Sequence, residues 1–383
     1  MTNNDFKYSL KDLALYFLKL GTIGFGGPVA LVGYMQDDLV EKRKWISEDD
    51  YKEGMALAQL SPGPLAAQLA IYLGYVHYRV IGATLAGICF VLPSFLMVVA
   101  LGWLYSLYGG LSSMQAVFYG VGSCVIGIIA ISSYKLTKKS IGNDYFKWTI
   151  FIVLALTTFW FEQENIWLIL GAGVLYCIYK IKVSAKPIAK VFMPLLLQIP
   201  TAISASGKLW NIGWFFTKAG AFVFGSGLAI IPFLYGGVVK ENHWLTEQQF
   251  LDAVAVAMIT PGPVVITVGF IGYLIAGFPG ACVAALATFI PCYVFTVIPA
   301  PYFRKYGKNP AIKAFVDGLT AAAVGAIAGA VLVIAKRQFT DLITIMIAIV
   351  SAIIILKSKK IKEPVWIVIC AVIGYILKTY ILT

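Results

Sequence analysis

Residues 57–66 read LAQLSPGPLA, and residues 256–265 read VAMITPGPVV. Each stretch sets Pro-Gly-Pro in the middle of an apolar segment of helix length. Proline lacks a backbone N–H and clashes with the preceding turn, so a pair of prolines breaks the helix there. The two triplets, Pro62-Gly63-Pro64 and Pro261-Gly262-Pro263, lie 199 positions apart, and their surroundings follow the same shift. Phe17, Lys19 and Gly21 meet Phe216, Lys218 and Gly220; Phe25-Gly26 meets Phe224-Gly225; Trp45 and Glu48 meet Trp244 and Glu247. Past the triplet, a shift of 198 aligns Gly74-Tyr75 with Gly272-Tyr273, Pro93 with Pro291, and Gly120 and Gly127 with Gly318 and Gly325. Chance supplies scattered glycines, but hardly a PGP triplet, a tryptophan and paired lysines in one frame. The chain is a tandem repeat.

Composition sets the environment of that repeat. The 383 residues are 60% hydrophobic and 13% charged, with a mean hydropathy of +0.84. Soluble domains carry about 25% charged residues, so the expectation is an all-α polytopic membrane protein. The opening MTNNDFKYSL is polar and mixed in charge, and no cleavable signal is expected from it. Apolar segments fall near 13–36, 54–76, 80–108, 113–134, 147–162 and 165–181, then near 211–235, 250–276, 279–303, 312–335, 341–356 and 364–380. This gives a first membrane repeat over 1–181, a basic linker over 182–210 with a short apolar stretch at 191–204, and a second repeat over 211–383. The net charge of +12 points to loop lysines that orient helices, not to nucleic acid. Cys89, Cys124, Cys177, Cys282, Cys292 and Cys370 are scattered through apolar runs without a CxxC, and read as small buried residues. With only His77 and His243 besides, no metal site, cofactor or catalytic cluster is expected.

The loop charges predict that the halves are inverted. The third-to-fourth loop has no Lys or Arg in the first half, and Arg304, Lys305, Lys308 and Lys313 in the second. The fourth-to-fifth loop has Lys135, Lys138, Lys139 and Lys147 in the first, but only Lys336 and Arg337 in the second. The fifth-to-sixth loop has none, then Lys357, Lys359, Lys360 and Lys362. A bias that changes sides is what inverted repeats of about six helical segments each require. Inversion needs an odd number of crossings before the second half. Either 191–204 crosses, or one broken segment per half does not span. The loop 37–53 fits poorly: if the linker crosses, this loop lies outside despite Lys42, Arg43, Lys44 and Lys52.

Ser47 and Thr246 are expected to cap the second segment of each half, with Asp50 and Gln249 three residues on. That puts PGP about four turns into the helix, near mid-membrane. The first segments are also interrupted, at Gly24-Phe25-Gly26-Gly27-Pro28 and at Gly225-Ser226-Gly227. Irregular backbone at depth must face protein or a watery cavity, and a half-helix N-terminus there attracts anions. Discontinuous helices at the centre therefore point to a substrate site. Its expected parts are Gly26, Gly27, Gly63, Gly225 and Gly262, the hydroxyls of Ser61, Ser226 and Thr260, and the paired Lys19 and Lys218. Pro28, Pro62, Pro64, Pro261 and Pro263 make the breaks. Glu53, Asp252 and Asp317 are candidates for proton coupling, against the plainer reading that the first two complement a helix dipole.

FLKLGTIGFGGP at 17–28, the SPGP and TPGP pair and the duplication resemble the chromate ion transporter family in its long two-domain form, over essentially the whole chain. The resemblance implies a multi-pass protein of the cytoplasmic (inner) membrane with inverted halves. It implies export of chromate, a tetrahedral dianion like sulfate, chromate resistance, and drive by the proton gradient. The partners are then an inorganic oxyanion and the lipid bilayer; a homodimer is left open. The second half reads FGSG where the first reads FGGP, so the halves are expected to contribute unequally. The alternatives are a carrier of sulfate or another oxyanion, an anion channel of the same fold, a membrane enzyme, and a scaffold.

Overall fold

The computed structural model describes residues 8–24, 27–108, 112–161, 166–183, 207–222, 230–306, 309–339, 341–357 and 363–380. All regular structure among them is helical. Helix α1 (Leu10–Ile23) is capped by Ser9, whose hydroxyl accepts from the Asp12 N–H while the Asp12 carboxylate accepts from the Ser9 N–H. It stops at Gly24. Helix α2 (Gly27–Met35) has Pro28 in its first turn, where the missing N–H has no helical partner to lose, and runs on through a π-helical stretch at 36–42. The Tyr16 hydroxyl donates to the Tyr34 carbonyl at 3.2 Å. Both residues lie about two turns from the break, so α2 returns alongside α1 and the pair is a hairpin.

A second hairpin follows. Helix α3 (Glu48–Leu60) is capped by Ser47 and ends at Ser61; helix α4 (Leu65–Tyr108) begins past the triplet. Gly54 of α3 faces the Tyr72 ring of α4 so closely that a Cβ there would collide with it. Tyr8 stacks on Trp45 at 4.7 Å between ring centres and hydrogen-bonds His77 Nδ1 at 2.8 Å. The start of α3 and the far end of this limb of α4 thus lie at one end of the molecule, the first face. The sequence reading placed PGP inside one advancing helix. Instead the chain folds back there and PGP is the tip, because two prolines flanking Gly63 at φ +140° redirect the backbone rather than bend it. Helix α4 folds once more at Arg79 (φ 53°, ψ −139°). Gly74 and Gly82 meet backbone to backbone across that turn, and residues 80–108 then run to the opposite end, the second face.

The second half repeats the plan with α8 (Lys208–Phe222), α9 (Ile230–Leu234), a π-helical stretch at 235–241, α10 (Glu247–Ile259), a 3-10 turn at 264–266 and α11 (Thr267–Val297). Thr246 and Gln249 form the expected capping box. Helix α11 folds at Ala276–Gly277, and Gly272 meets Gly280 as Gly74 meets Gly82. Along 80–108, Ser94 lies beside Gly262, Val98 beside Gly269, and Gly102 beside Tyr273. Tyr105 then reaches Asp252 of α10 at 2.6 Å. The second half's hairpins therefore open on the second face, and the halves are inverted.

The later helices interlock the halves. In the first half these are α5 (Ser112–Ile141), α6 (Tyr145–Phe161) and α7 (Ile166–Val183). The second half has α12 (Ala300–Tyr306), α13 (Pro310–Gln338), α14 (Leu342–Lys357) and α15 (Glu363–Tyr380). Gly120 and Gly127 of α5 let it close on Cys370 of α15 and Ala348 of α14. In the same way Gly318, Gly325 and Gly329 of α13 sit against Ala172, Phe151 and Ala155 of α7 and α6. Small residues at such crossings let helices pack without a hydrophobic drive in lipid. The stretches 115–135 and 310–336, and those within 65–108 and 264–303, are apolar and long enough to span a bilayer. This is a multi-pass membrane protein.

Because neither hairpin crosses, the loop 37–53 falls at the first face. That is also where Ala300 and Phe303 pack on the cluster around Tyr8 and Ile46, and where Lys147 pairs with Asp317. The misfit of its basic residues disappears. Helix α7 ends at that face. Helix α8 starts at the other, since Gly213 and Gly220 run beside Val283 and Thr288 of the outgoing limb of α11. The stretch 191–204 lies outside the described residues.

Candidate functional site

The hairpin tips of the two halves meet in the middle of the molecule. The Gly262 N–H donates to the Gly24 carbonyl at 2.8 Å, joining the second half's PGP to the first half's first break. Gly262 (φ +96°) presses on Ser94, a fully buried residue whose hydroxyl reaches the Gly21 carbonyl at 3.4 Å. Its counterpart Gly63 would, with a Cβ, meet Cys292 Cβ at 3.2 Å. Ser94 and Cys292 occupy matching positions after Pro93 and Pro291, so each tip is seated on the other half's spanning limb. The starts of α2, α4 and the 264–267 turn all open at these tips. Their free N–H groups and dipoles make the centre favourable to an anion.

The sequence-derived residues fall into three groups. Ser61, Gly63, Thr260 and Gly262 are buried at the tips with Pro64, Pro261 and Pro263, and Pro62 is half-buried there. The Ser61 hydroxyl has no partner among the described residues, whereas that of Thr260 donates to the Val256 carbonyl at 2.7 Å. Gly27 and Pro28 start α2 just past the break whose Gly24 holds the second half's tip; Gly26, Gly225 and Ser226 lie outside the described residues. Lys19 is exposed on α1, on the side away from its packed face, about one turn before Gly24. Lys218 is half-buried on α8, its ammonium 5.9 Å from the centre of the Trp214 ring.

The acids separate from this centre. Asp252 is 2% exposed and accepts from the Tyr105 hydroxyl at 2.6 Å and Gln248 Nε2 at 2.8 Å. Its counterpart Glu53 is half-buried on α3. Asp317 lies near the first face in an ion pair with Lys147 at 3.1 Å. Asp144 beside it caps α6. Burial works against its ionisation, but the Tyr176 hydroxyl, the Lys147 and Phe146 amides and Lys180 outweigh that and hold its carboxyl below the usual range. No cluster of three or more His, Cys, Asp or Glu able to hold a metal occurs among the described residues.

Sequence reasoning missed Gln68, Ser94 and Cys292. Gln68 is fully buried one turn into α4; its Nε2 donates to the Pro62 carbonyl at 2.8 Å, and its Oε1 has no partner among the described residues. A polar side chain alone in the run from Leu65 to Tyr72 was the available signal.

Inverted repeats, re-entrant hairpins and tips that meet at the centre define the class of membrane transport proteins built for a substrate held at a repeat interface. A family model described as chromate transporter matches residues 11–177 and again 210–375. The chain belongs to the chromate transporter family. It is 63% identical over 374 residues to the chromate transport protein of Cupriavidus metallidurans, covering 96% of this chain and 93% of that one. It is 61% identical over 378 residues to a probable chromate transport protein of Synechococcus elongatus, covering 96% of each. A chromate transport protein of Pseudomonas aeruginosa is 31% identical over 336 residues, 83% of this chain and 79% of that one. No solved structure matches.

Proposed function

We propose that the chain exports chromate across the cytoplasmic membrane by alternating access, driven by the proton gradient. The observation that carries this reading is the contact of Gly262 with Gly24 and Ser94. It fixes tips that enter from opposite faces at one central point, so that rocking one inverted half against the other would expose that point to each side in turn. The anion would lie among Ser61, Gly63, Thr260, Gly262 and the helix starts, with Gly26, Gly27, Gly225 and Ser226 completing the tips and Lys19 and Lys218 supplying positive charge. These groups replace the water that an oxyanion cannot leave uncompensated.

Asp252 is the coupling residue of this proposal. It is buried, it joins the halves through Tyr105, and among the described residues it has no cationic partner. Glu53 is the matching acid of the other half, while the pairing of Asp317 with Lys147 suits a structural role better. The first face gathers Lys42, Arg43, Arg79, Lys135, Lys138, Lys147 and Lys180, against Lys208, Lys240, Lys336 and Lys378 at the second; the positive-inside rule supports a cytoplasmic first face. The test is radiolabelled chromate and sulfate flux in proteoliposomes with and without an imposed pH gradient. Saturable chromate flux that the gradient accelerates, and that Asp252→Asn uncouples, is the expected result. Flux that never saturates would favour a channel, and equal flux of both anions a broader oxyanion carrier.

A further inference from the structure

We propose that Gln68 makes the first half's tip selective for a tetrahedral oxyanion that carries a hydroxyl. This rests on the reading of the tips as the anion site. Gln68 is 0% exposed, and its amide sits against the tip: a Cβ on Gly63 would meet Nε2 at 2.8 Å and Cδ at 2.9 Å. The orientation of the amide follows from its partner. The Pro62 carbonyl, 2.8 Å away, can only accept, so Nε2 must face it and Oε1 must face the other way. That oxygen is buried and has no donor among the described residues. A buried acceptor left empty is a standing cost unless something in the working cycle supplies a hydrogen.

A bare dianion such as sulfate offers only lone pairs and would be repelled by Oε1. Hydrogen chromate or hydrogen phosphate offers one O–H to Oε1, while its other oxygens take the Ser61 hydroxyl and the N–H groups at the start of α4. The matching position of the second half does not repeat the arrangement. Counted from the triplet, Thr267 stands four residues past Pro263 as Gln68 stands four past Pro64, and it is fully buried, its hydroxyl already committed to the Val264 carbonyl at 2.7 Å. Among the described residues the hydroxyl-reading group is therefore single, and it belongs to the tip with the unpartnered Ser61 hydroxyl.

The test compares two isosteres at one fixed pH, so that the protein is in the same state in every arm. Chromate flux into proteoliposomes is measured against competing phosphate, monofluorophosphate and sulfate. Monofluorophosphate keeps the shape and charge of hydrogen phosphate but has fluorine in place of the hydroxyl. Phosphate should inhibit about tenfold or more better than monofluorophosphate or sulfate, and Gln68→Met, which keeps the length of the side chain, should erase that gap. Equal inhibition by phosphate and monofluorophosphate in the wild type overturns the inference, whatever the variant does. So does a gap that survives Gln68→Met. Loss of chromate flux in the wild type would overturn the transport reading itself, whereas intact flux blind to the hydroxyl overturns only the role of Gln68.

Discussion

The two Pro-Gly-Pro tips share a backbone plan and differ in what their polar atoms are free to do. At the second tip every named group is engaged: the Gly262 N–H with Gly24, the Thr260 hydroxyl with Val256, the Thr267 hydroxyl with Val264. At the first tip the Ser61 hydroxyl and Gln68 Oε1 have no partner among the described residues. Duplication supplied two equal frames; in the proposed reading the second serves as a fastening while the first keeps its bonding capacity for the ligand. An unsatisfied buried polar atom is costly, and its occurrence at the first tip alone, among the described residues, supports the proposal that this tip reads the substrate.

Glycine substitution at the tips separates these roles with the largest effect. Both Gly63 and Gly262 hold positive φ, which an L side chain adopts only with strain. At Gly262 an added methyl also runs into Ser94, buried and backed by Gly21, and threatens the link to Gly24. We expect Gly262→Ala to cost about 3 kcal/mol or more and to remove most folded protein from the membrane, as read by size-exclusion yield. Gly63→Ala displaces the Gln68 amide instead. It should leave more protein intact and still abolish chromate flux. Equal yields would break the assignment of fastening and reader.

The charge pair offers a smaller contrast. Lys19 is exposed, while the ammonium of Lys218 leans on Trp214 at 5.9 Å and is partly satisfied by that ring. Lys19→Ala should therefore weaken chromate transport about tenfold or more, and Lys218→Ala less, both with unchanged yield. Wild-type flux in both variants would remove the lysines from the site.

How much of this was legible beforehand depends on what each residue does locally. The repeat, the caps at Ser47 and Thr246 and the inversion were readable, because proline, capping residues and loop lysines act within a few positions of themselves. The sense of the PGP element was not. A broken helix and a re-entrant tip have the same sequence pattern, and only the packing of Gly54 on Tyr72 tells them apart. That one ambiguity misplaced the loop 37–53. Gln68 and Ser94 were invisible for a related reason: their meaning comes from residues brought to them by the fold, Pro62 and Gly262.

The tip hydroxyls give a several-fold contrast. Ser61→Ala removes a hydroxyl free to donate to an anion, and chromate affinity should fall about three- to tenfold. Thr260→Val removes one whose hydrogen already goes to Val256, so affinity should hold while stability falls slightly. Competition binding of chromate to purified protein, with thermal unfolding of the same samples, measures both. An affinity loss in Thr260→Val equal to that in Ser61→Ala would mean that the Thr260 hydroxyl turns from Val256 to the ligand and that the tips are equal in this respect.

The smallest effect is expected at the outer turns, which show the same asymmetry away from the centre. Gly277 turns the second half's α11 at φ +62°, and Arg79 turns the first half's α4 at φ +53°. The glycine adopts this conformation freely, while the arginine is strained by it. The Arg79 side chain lies over the Tyr75 ring at 5.5 Å, a contact worth about 0.5–1 kcal/mol at an exposed site, which offsets part of the strain. Arg79→Gly relieves the strain and gives up that contact, so a net gain of about 1 kcal/mol or less is expected. Gly277→Arg imports the strain where the equivalent ring position is Tyr273, already packed on Gly102, and should lose about 1–2 kcal/mol. Thermal unfolding of the two variants in detergent reads both signs. If Arg79→Gly destabilises instead, the ring contact outweighs the turn, and the first face depends on its arginine more than on its backbone.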